Sequence, residues 1–149
     1  MMYTSRFYNP ELKQNTDKYA VVRISCGYPR WLSYKPVGYI EELAPVGLIK
    51  ITDRVEFARK YLTRLDQIGV ETIAQRLDTF RSLGKPVVLC CYEDIRKGGD
   101  QWCHRTLFAN WWRLKTDERI DELADPSKFK PEYPESKTPF SDLLWDFVC

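Results

Sequence analysis

Residues 87–92 have the sequence Val87-Val88-Leu89-Cys90-Cys91-Tyr92, an unbroken apolar run that begins just after Gly84 and Pro86. A run of this length without polar alternation is typical of a strand that is covered on both faces, as in a parallel sheet. Glycine followed by proline is a common helix stop, so a helix is expected to end directly before this strand. This stretch therefore predicts an α/β domain.

Two helices are predicted upstream of this strand. Asp53 and Glu56 have the spacing of a capping box, and the apolar residues that follow recur at helical intervals until Gly69. A second helical pattern extends from Val70 to Gly84. The order helix, turn, strand favours parallel pairing with an earlier strand.

Two further strands are predicted near the N-terminus, over Ala20–Ser25 and, more briefly, over Met2–Ser5. Prolines and glycines dominate the segment from Trp31 to Ile51, which predicts a loop with short extended or helical pieces. Downstream, aromatic residues at helical spacing predict a helix from Trp102 to Leu114, and a short helix is predicted over Asp117–Leu123.

The chain of 149 residues is about one domain long. We expect a single α/β domain over residues 1–125, with a mostly parallel sheet and flanking helices. Residues 126–149 contain four prolines and predict a C-terminal extension that packs on this domain. Within it, 129–138 is expected to form an extended arm and 141–148 a short amphipathic helix.

Composition excludes several classes of protein. Hydrophobic residues make up 44% of the chain and charged residues 30%, as in globular domains. No segment has the roughly 20 apolar residues of a membrane span, and no signal peptide is recognised, so a cytoplasmic location without a membrane partner is expected. That location would be the host cytoplasm if the chain is phage-encoded. The five cysteines form no disulfide framework in the sequence pattern, which favours a reducing compartment.

Candidate functional residues lie where the predicted strands end. In open α/β sheets, ligands bind beyond the carboxyl ends of the strands, where loops meet helix N-termini. This rule selects the loop after Ser25, the loop containing Glu93, and the helix start at residues 103–105. The complete predicted set comprises Cys103, His104 and Glu93 as catalytic residues, with Arg105, Arg30, Arg23, Thr4, Ser5, Gly27, Tyr28, Trp31 and Cys90 as ligand contacts.

Cys103 is the candidate nucleophile. It is expected in the first turn of a helix beside Arg105 and His104, surroundings that stabilise a thiolate. His104 or Glu93 would then carry the proton. The alternatives are that Cys103 only fills space beside Trp102 and that His104 only bonds a backbone carbonyl.

Arg30 and Arg105 are expected at the same rim, where two guanidinium groups would bracket a phosphate or carboxylate. Alternatively, Arg105 forms a structural ion pair with Glu93. The loop aromatics Tyr28 and Trp31 are candidates for stacking on bases.

A zinc site has the right ligand types in Cys90, Cys91, Cys103 and His104. Neighbouring strand residues point to opposite faces, and no C-x-x-C motif is present, so neither metal nor another cofactor is expected. Trp111 lies at helical spacing and is expected in the core.

The strand 88–93, followed by a polar loop and Cys103-His104-Arg105, resembles the signature of domain-of-unknown-function family 488. The front half is similar to short phage and bacterial members of that family at residues 3–5, 27–31 and 43–45. The resemblance spans about Tyr3 to Leu114 and implies an α/β fold with the Cys-His-Arg element at a pocket, without a settled activity. Longer members open with a Gly-His-Ser element and an Asp-Val-Arg strand end, where this chain has residues 4–6 and 22–24.

Three functional hypotheses follow. The first is a pocket that binds a phosphate-bearing small molecule, a nucleotide or a nucleic-acid end at the Cys-His-Arg helix start. The second is a thiol-dependent enzyme that uses Cys103. The third is a phage- or bacteria-encoded interaction module that uses the aromatic loop and the C-terminal extension.

Overall fold

The computed structural model describes residues 1–98 and 102–128, which form one open sheet of five parallel strands flanked by helices. The strands are β1 (Met2–Arg6), β2 (Ala20–Arg23), β3 (Gly38–Tyr39), β4 (Val87–Cys91) and β5 (Asp121–Glu122). The α-helices are α1 (Pro10–Gln14), α2 (Arg54–Ile68), α3 (Val70–Arg81) and α4 (His104–Thr116), and single 3-10 turns cover Thr16–Lys18, Glu41–Leu43 and Ile95–Lys97. The predicted α/β class with a parallel sheet is confirmed.

The strand order is β3-β2-β4-β1-β5, so β4 lies at the centre between β2 and β1. Val88 of β4 pairs with Val21 on one side and Tyr3 on the other. All five residues of β4 are buried, which explains why its sequence is apolar without alternation. The parallel pairing brings the carboxyl ends of β1, β2 and β4 to one rim.

The two faces of the sheet differ in what covers them. On one, here called the helical face, Val87 and Leu89 pack with the buried residues of α2, α3 and α4. On the other, here called the α1 face, Val88 and Cys90 pack with Leu12 of α1 and a few loop residues. Because side chains alternate along a strand, Cys91 belongs to the helical face.

Helix α2 begins and ends where the sequence predicts, and α3 begins at Val70 as predicted but ends at Arg81, before the expected stop at Gly84. The Asp53 carboxylate accepts hydrogen bonds from the backbone N–H groups of Val55 and Glu56 and so caps α2. Gly69 has φ of 87° between α2 and α3, a left-handed conformation that costs a glycine little.

The helix predicted over Asp117–Leu123 is wrong. Asp117 adopts the left-handed conformation that ends α4, and β5 then pairs with Tyr3 and Thr4 at the edge of the sheet. Tertiary pairing overrides local helical preference in this segment. The segment after Asn9 begins with α1, because the Asn9 side chain caps this helix at Glu11.

The predicted arm over 129–138 and the predicted helix over 141–148 lie outside the described residues, as do residues 99–101. Among the helices that the structure describes, none combines the length and apolar character that a bilayer span requires.

Candidate functional site

A cavity of about 500 Å³ opens beyond the carboxyl ends of β2 and β4. Its wall combines the loop after β2, the chain that leads into α2, the segment at the end of β4 and the start of α4. The lining residues are Ser25, Cys26, Gly27, Pro45, Ile49, Ile51, Thr52, Phe57, Cys91, Tyr92, Glu93, Trp102, Cys103 and His104. Sheet topology therefore places the cavity where ligands of open α/β sheets bind.

Cys91 and Cys103 form a disulfide in the wall of this cavity, with an S–S distance of 2.08 Å. Cys91 is the last residue of β4, and Cys103 is the N-cap of α4. The bond thus joins the end of the central strand to the start of the helix that follows it. The expectation of unpaired thiols is wrong for these two cysteines, since the fold brings together residues that are 12 positions apart.

His104 lies against this disulfide. Its Nδ1 is 3.6 Å from Cys103 Sγ, and its Nε2 is 2.6 Å from the backbone oxygen of Ile24. A carbonyl oxygen only accepts, so Nε2 carries the proton and Nδ1 presents its lone pair to the sulfur. Burial lowers the pKa of His104 to about 4, with a smaller contribution from the Arg105 charge. The imidazole is therefore neutral at physiological pH.

Arg105 is completely buried and does not reach the cavity lining. Its Nε and Nη2 donate to the two carboxylate oxygens of Glu122, at 2.9 and 2.8 Å, and its Nη1 lies 3.1 Å from Cys91 Sγ. Thr4 donates to the same carboxylate at 2.8 Å. The alternative of an ion pair with Glu93 is wrong in its partner, because β5 brings Glu122 to the guanidinium group.

Arg23 holds the loop after β2 in place without lining the cavity itself. Its Nη1 donates to the backbone oxygens of Ser25 and Cys26, and its guanidinium carbon lies 3.7 Å from the centre of the Tyr39 ring. These contacts hold the loop that forms one side of the cavity. Gly27 in this loop is close to Tyr92, since a Cβ placed there would lie 3.1 Å from the tyrosine hydroxyl.

The structure brings four predicted residues together in the cavity wall, namely Gly27, Glu93, Cys103 and His104. The other predicted ligand contacts are not among its lining residues; these are Arg105, Arg30, Arg23, Thr4, Ser5, Tyr28, Trp31 and Cys90. Cys90 faces the opposite side of the sheet, where burial raises the pKa of its thiol.

The predicted ligand contacts outside the cavity have other surroundings. Ser5 accepts a hydrogen bond from Asn9 in the interior. Tyr28 and Trp31 are 56% and 95% exposed, and Arg30 is also at the surface. None of the described lining residues is a lysine or an arginine, so an anion in this cavity would meet no basic side chain of that set.

Sequence reasoning missed two parts of the wall. Cys91 could have been assigned to the helical face from its alternation with Leu89, but nothing local indicates that its partner is Cys103. The lining residues between Pro45 and Thr52 give no sequence signal of a site, because they reach the cavity only after the chain has folded back over the rim.

No protein-family model matches this chain, and no curated protein or solved structure matches it significantly. The resemblance to domain-of-unknown-function family 488 therefore stays a prediction.

Proposed function

We propose that this protein is a thiol-dependent enzyme whose cysteine pair reduces a small disulfide held in the cavity to two thiols. The observation that carries the proposal is the Cys91–Cys103 bond in the cavity wall, with a neutral histidine on one sulfur and an arginine on the other. Thiol–disulfide exchange requires a second thiol to reach one of the two sulfurs, and a cavity beside the bond is a route for it.

Cys103 is the proposed attacking thiol. Its position at the N-cap of a 13-residue helix exposes it to unpaired N–H groups and to the positive end of the helix dipole, which stabilise a thiolate. Nδ1 of His104 accepts the hydrogen bond of the protonated thiol before the proton leaves. Arg105 donates to the sulfur of Cys91, which stabilises the negative charge on the second thiol.

The proposed reaction has two steps. The Cys103 thiolate attacks one sulfur of a small disulfide, forms a mixed disulfide and releases the first thiolate. The Cys91 thiolate then attacks Cys103 Sγ, which releases the second thiolate and forms the Cys91–Cys103 bond. The two protons of the cysteine thiols pass to the two released thiolates, and the substrate gains the two electrons that the cysteine pair loses.

Titration with glutathione tests this proposal. The native chain is equilibrated at graded ratios of reduced to oxidised glutathione, alkylated, and analysed by peptide mass spectrometry. We expect Cys91 and Cys103 to become alkylated together in one two-electron transition. The Cys91→Ser chain should accumulate a mixed disulfide between glutathione and Cys103, because the second step is blocked.

Cys26→Ser is the matched control, since Cys26 is a free cysteine that lines the same cavity. It should leave the transition unchanged. A bond that glutathione reduces only after the chain has been denatured would contradict the proposal, as would a transition that disappears in Cys26→Ser.

A phosphate-bearing ligand has less support in this cavity. Arg105, the residue expected to bind it, is paired with Glu122 on both carboxylate oxygens, and the acidic Glu93 lines the wall. A carboxylate repels phosphate, and no lysine or arginine among the described lining residues offsets that repulsion.

A further inference from the structure

We infer that the reduced chain binds one thiophilic divalent cation, such as zinc, through Cys91 Sγ, Cys103 Sγ and His104 Nδ1. These ligand atoms all lie within 4.8 Å of one another. The inference goes beyond the proposed function, because metal binding requires the two thiols to be free but does not require them to turn over.

The spacing of the three atoms suits a tetrahedral site. Zinc lies about 2.3 Å from sulfur and about 2.0 Å from nitrogen, so neighbouring ligand atoms are roughly 3.5 to 3.8 Å apart. Cys103 Sγ and His104 Nδ1 are already 3.6 Å apart. Cys91 Sγ lies within 4.8 Å of both of these atoms, so a small movement of its side chain after reduction completes the spacing.

The surroundings of the ligands also match a metal site. A histidine that binds metal through one nitrogen usually donates the other N–H to a backbone carbonyl or a carboxylate, which fixes the ring. His104 does so through Nε2 and Ile24, leaving Nδ1 free to bind. Arg105 similarly orients Cys91 by donating to its sulfur.

Charge balance favours a divalent cation. Cys91 and Cys103 are both buried, and the one arginine beside them is neutralised by Glu122. Two thiolates there would add two negative charges, which the hydrogen bond from Arg105 stabilises but does not neutralise, and a buried site tolerates such a charge excess poorly. One divalent cation cancels both. Binding to the dithiol releases two protons, forms two metal–sulfur bonds and transfers no electrons.

The site would keep one open position. Among the described residues, three side chains form the ligand group, and all three line the cavity. Tetrahedral zinc with three protein ligands holds water or substrate in the fourth position, whereas structural zinc sites use four protein ligands. A cavity ligand that carries a thiolate sulfur, a carboxylate oxygen or a carbonyl oxygen could then bind the metal directly.

Cobalt provides the test, because Co²⁺ bound to thiolates gives an ultraviolet charge-transfer band and, in tetrahedral geometry, intense visible bands. The full chain is reduced anaerobically with a phosphine, its free thiols are counted, and Co²⁺ is added. We expect one Co²⁺ per chain with both spectral features, and displacement by Zn²⁺. Cys91→Ser and Cys103→Ser should each weaken binding by more than the roughly 100-fold that loss of a ligand's hydrogen-bond partner costs.

Cys26→Ser is again the control and should bind Co²⁺ as the unsubstituted chain does. Octahedral Co²⁺ without a charge-transfer band, or undiminished binding in Cys91→Ser, would overturn the inference. Circular dichroism of the metal-free variants is recorded first; if one is unfolded, the spectrum of the unsubstituted chain decides alone. Cobalt binding without a glutathione transition would support this inference and contradict the proposed function. A glutathione transition without cobalt binding would support the proposed function and contradict this inference.

Discussion

The adjacent cysteines of β4 have different surroundings because they lie on opposite faces of the sheet. Cys90 points to the α1 face, where it is fully buried among apolar side chains as a free thiol. Cys91 points to the helical face, where it meets Cys103, Arg105 and the cavity. One step along the strand therefore separates a free thiol in the core from a cysteine that forms a disulfide in the cavity wall, because successive side chains point to opposite faces.

The faces also differ in how much structure covers them. The helical face is covered by α2, α3 and α4, which together bury a large aromatic and aliphatic cluster. The α1 face is covered by one five-residue helix and scattered loop residues. A site that must hold two sulfurs, an imidazole and a guanidinium in register is better supported by the face with the larger core.

The largest difference between the faces is expected in the free energy of unfolding that is lost when a buried leucine is shortened to alanine. Leu65 of α2 and Leu12 of α1 are both fully buried, one on each face. We expect Leu65→Ala to lower the free energy of unfolding by about 4 kcal/mol and Leu12→Ala by about 2 kcal/mol, since the short α1 can shift to fill the space. Urea denaturation followed by tryptophan fluorescence measures both values. Equal losses would show that the faces are equally rigid.

A smaller effect is expected from the pH dependence of the site on the helical face. The folded chain holds the pKa of His104 at about 4, below its ordinary value of 6.5, because burial penalises the charged form. Between these values the unfolded chain binds more protons. The stabilising contribution is therefore complete above pH 6.5 and is lost as the pH falls towards 4, by up to about 3 kcal/mol.

Urea denaturation of the disulfide form at pH 7 to 4.5, with a chelator present, measures this loss. His104 is the single histidine of the chain, so His104→Gln should reduce the slope of the free energy of unfolding against pH in this window. Ordinary carboxylates titrate lower, and Glu42, Asp94 and Asp125 have lowered pKa values. Identical slopes in the two chains would contradict a neutral, buried imidazole.

The sequence predicts the helical face better than the site that the face supports. Helices α2 and α3 and strand β4 have strong local signals, namely a capping box, helical periodicity and an apolar run. No local signal predicts the hydrogen bonds that Glu122 forms with Thr4 and Arg105, because these bonds depend on the pairing of β5 with β1. A two-residue edge strand leaves no readable pattern in the sequence.

The Cys-His-Arg element could be singled out because reactive residue types lie there at the start of the helix that follows a buried strand. Its partners could not, since the Cys91–Cys103 bond and the contact of His104 with Ile24 join residues that only the sheet brings together. The two arginines expected to bracket an anion illustrate the limit of this reasoning. The position of a residue after a strand indicates which rim it occupies but not whether its side chain turns into the interior, as that of Arg105 in α4 does.

The smallest difference between the faces is expected from two tyrosine hydroxyls, each of which donates to a backbone carbonyl. Tyr61 on the helical face donates to Leu43 at 2.7 Å and is fully buried, whereas Tyr34 on the α1 face donates to Phe7 at 2.5 Å and is partly exposed. We expect Tyr61→Phe to cost about 2 kcal/mol, because the Leu43 carbonyl loses a buried donor, and Tyr34→Phe to cost about 1 kcal/mol, because water can replace the hydroxyl. Urea denaturation of both chains decides the order. A larger loss for Tyr34→Phe would mean that the α1 face excludes water as completely as the face that holds the site.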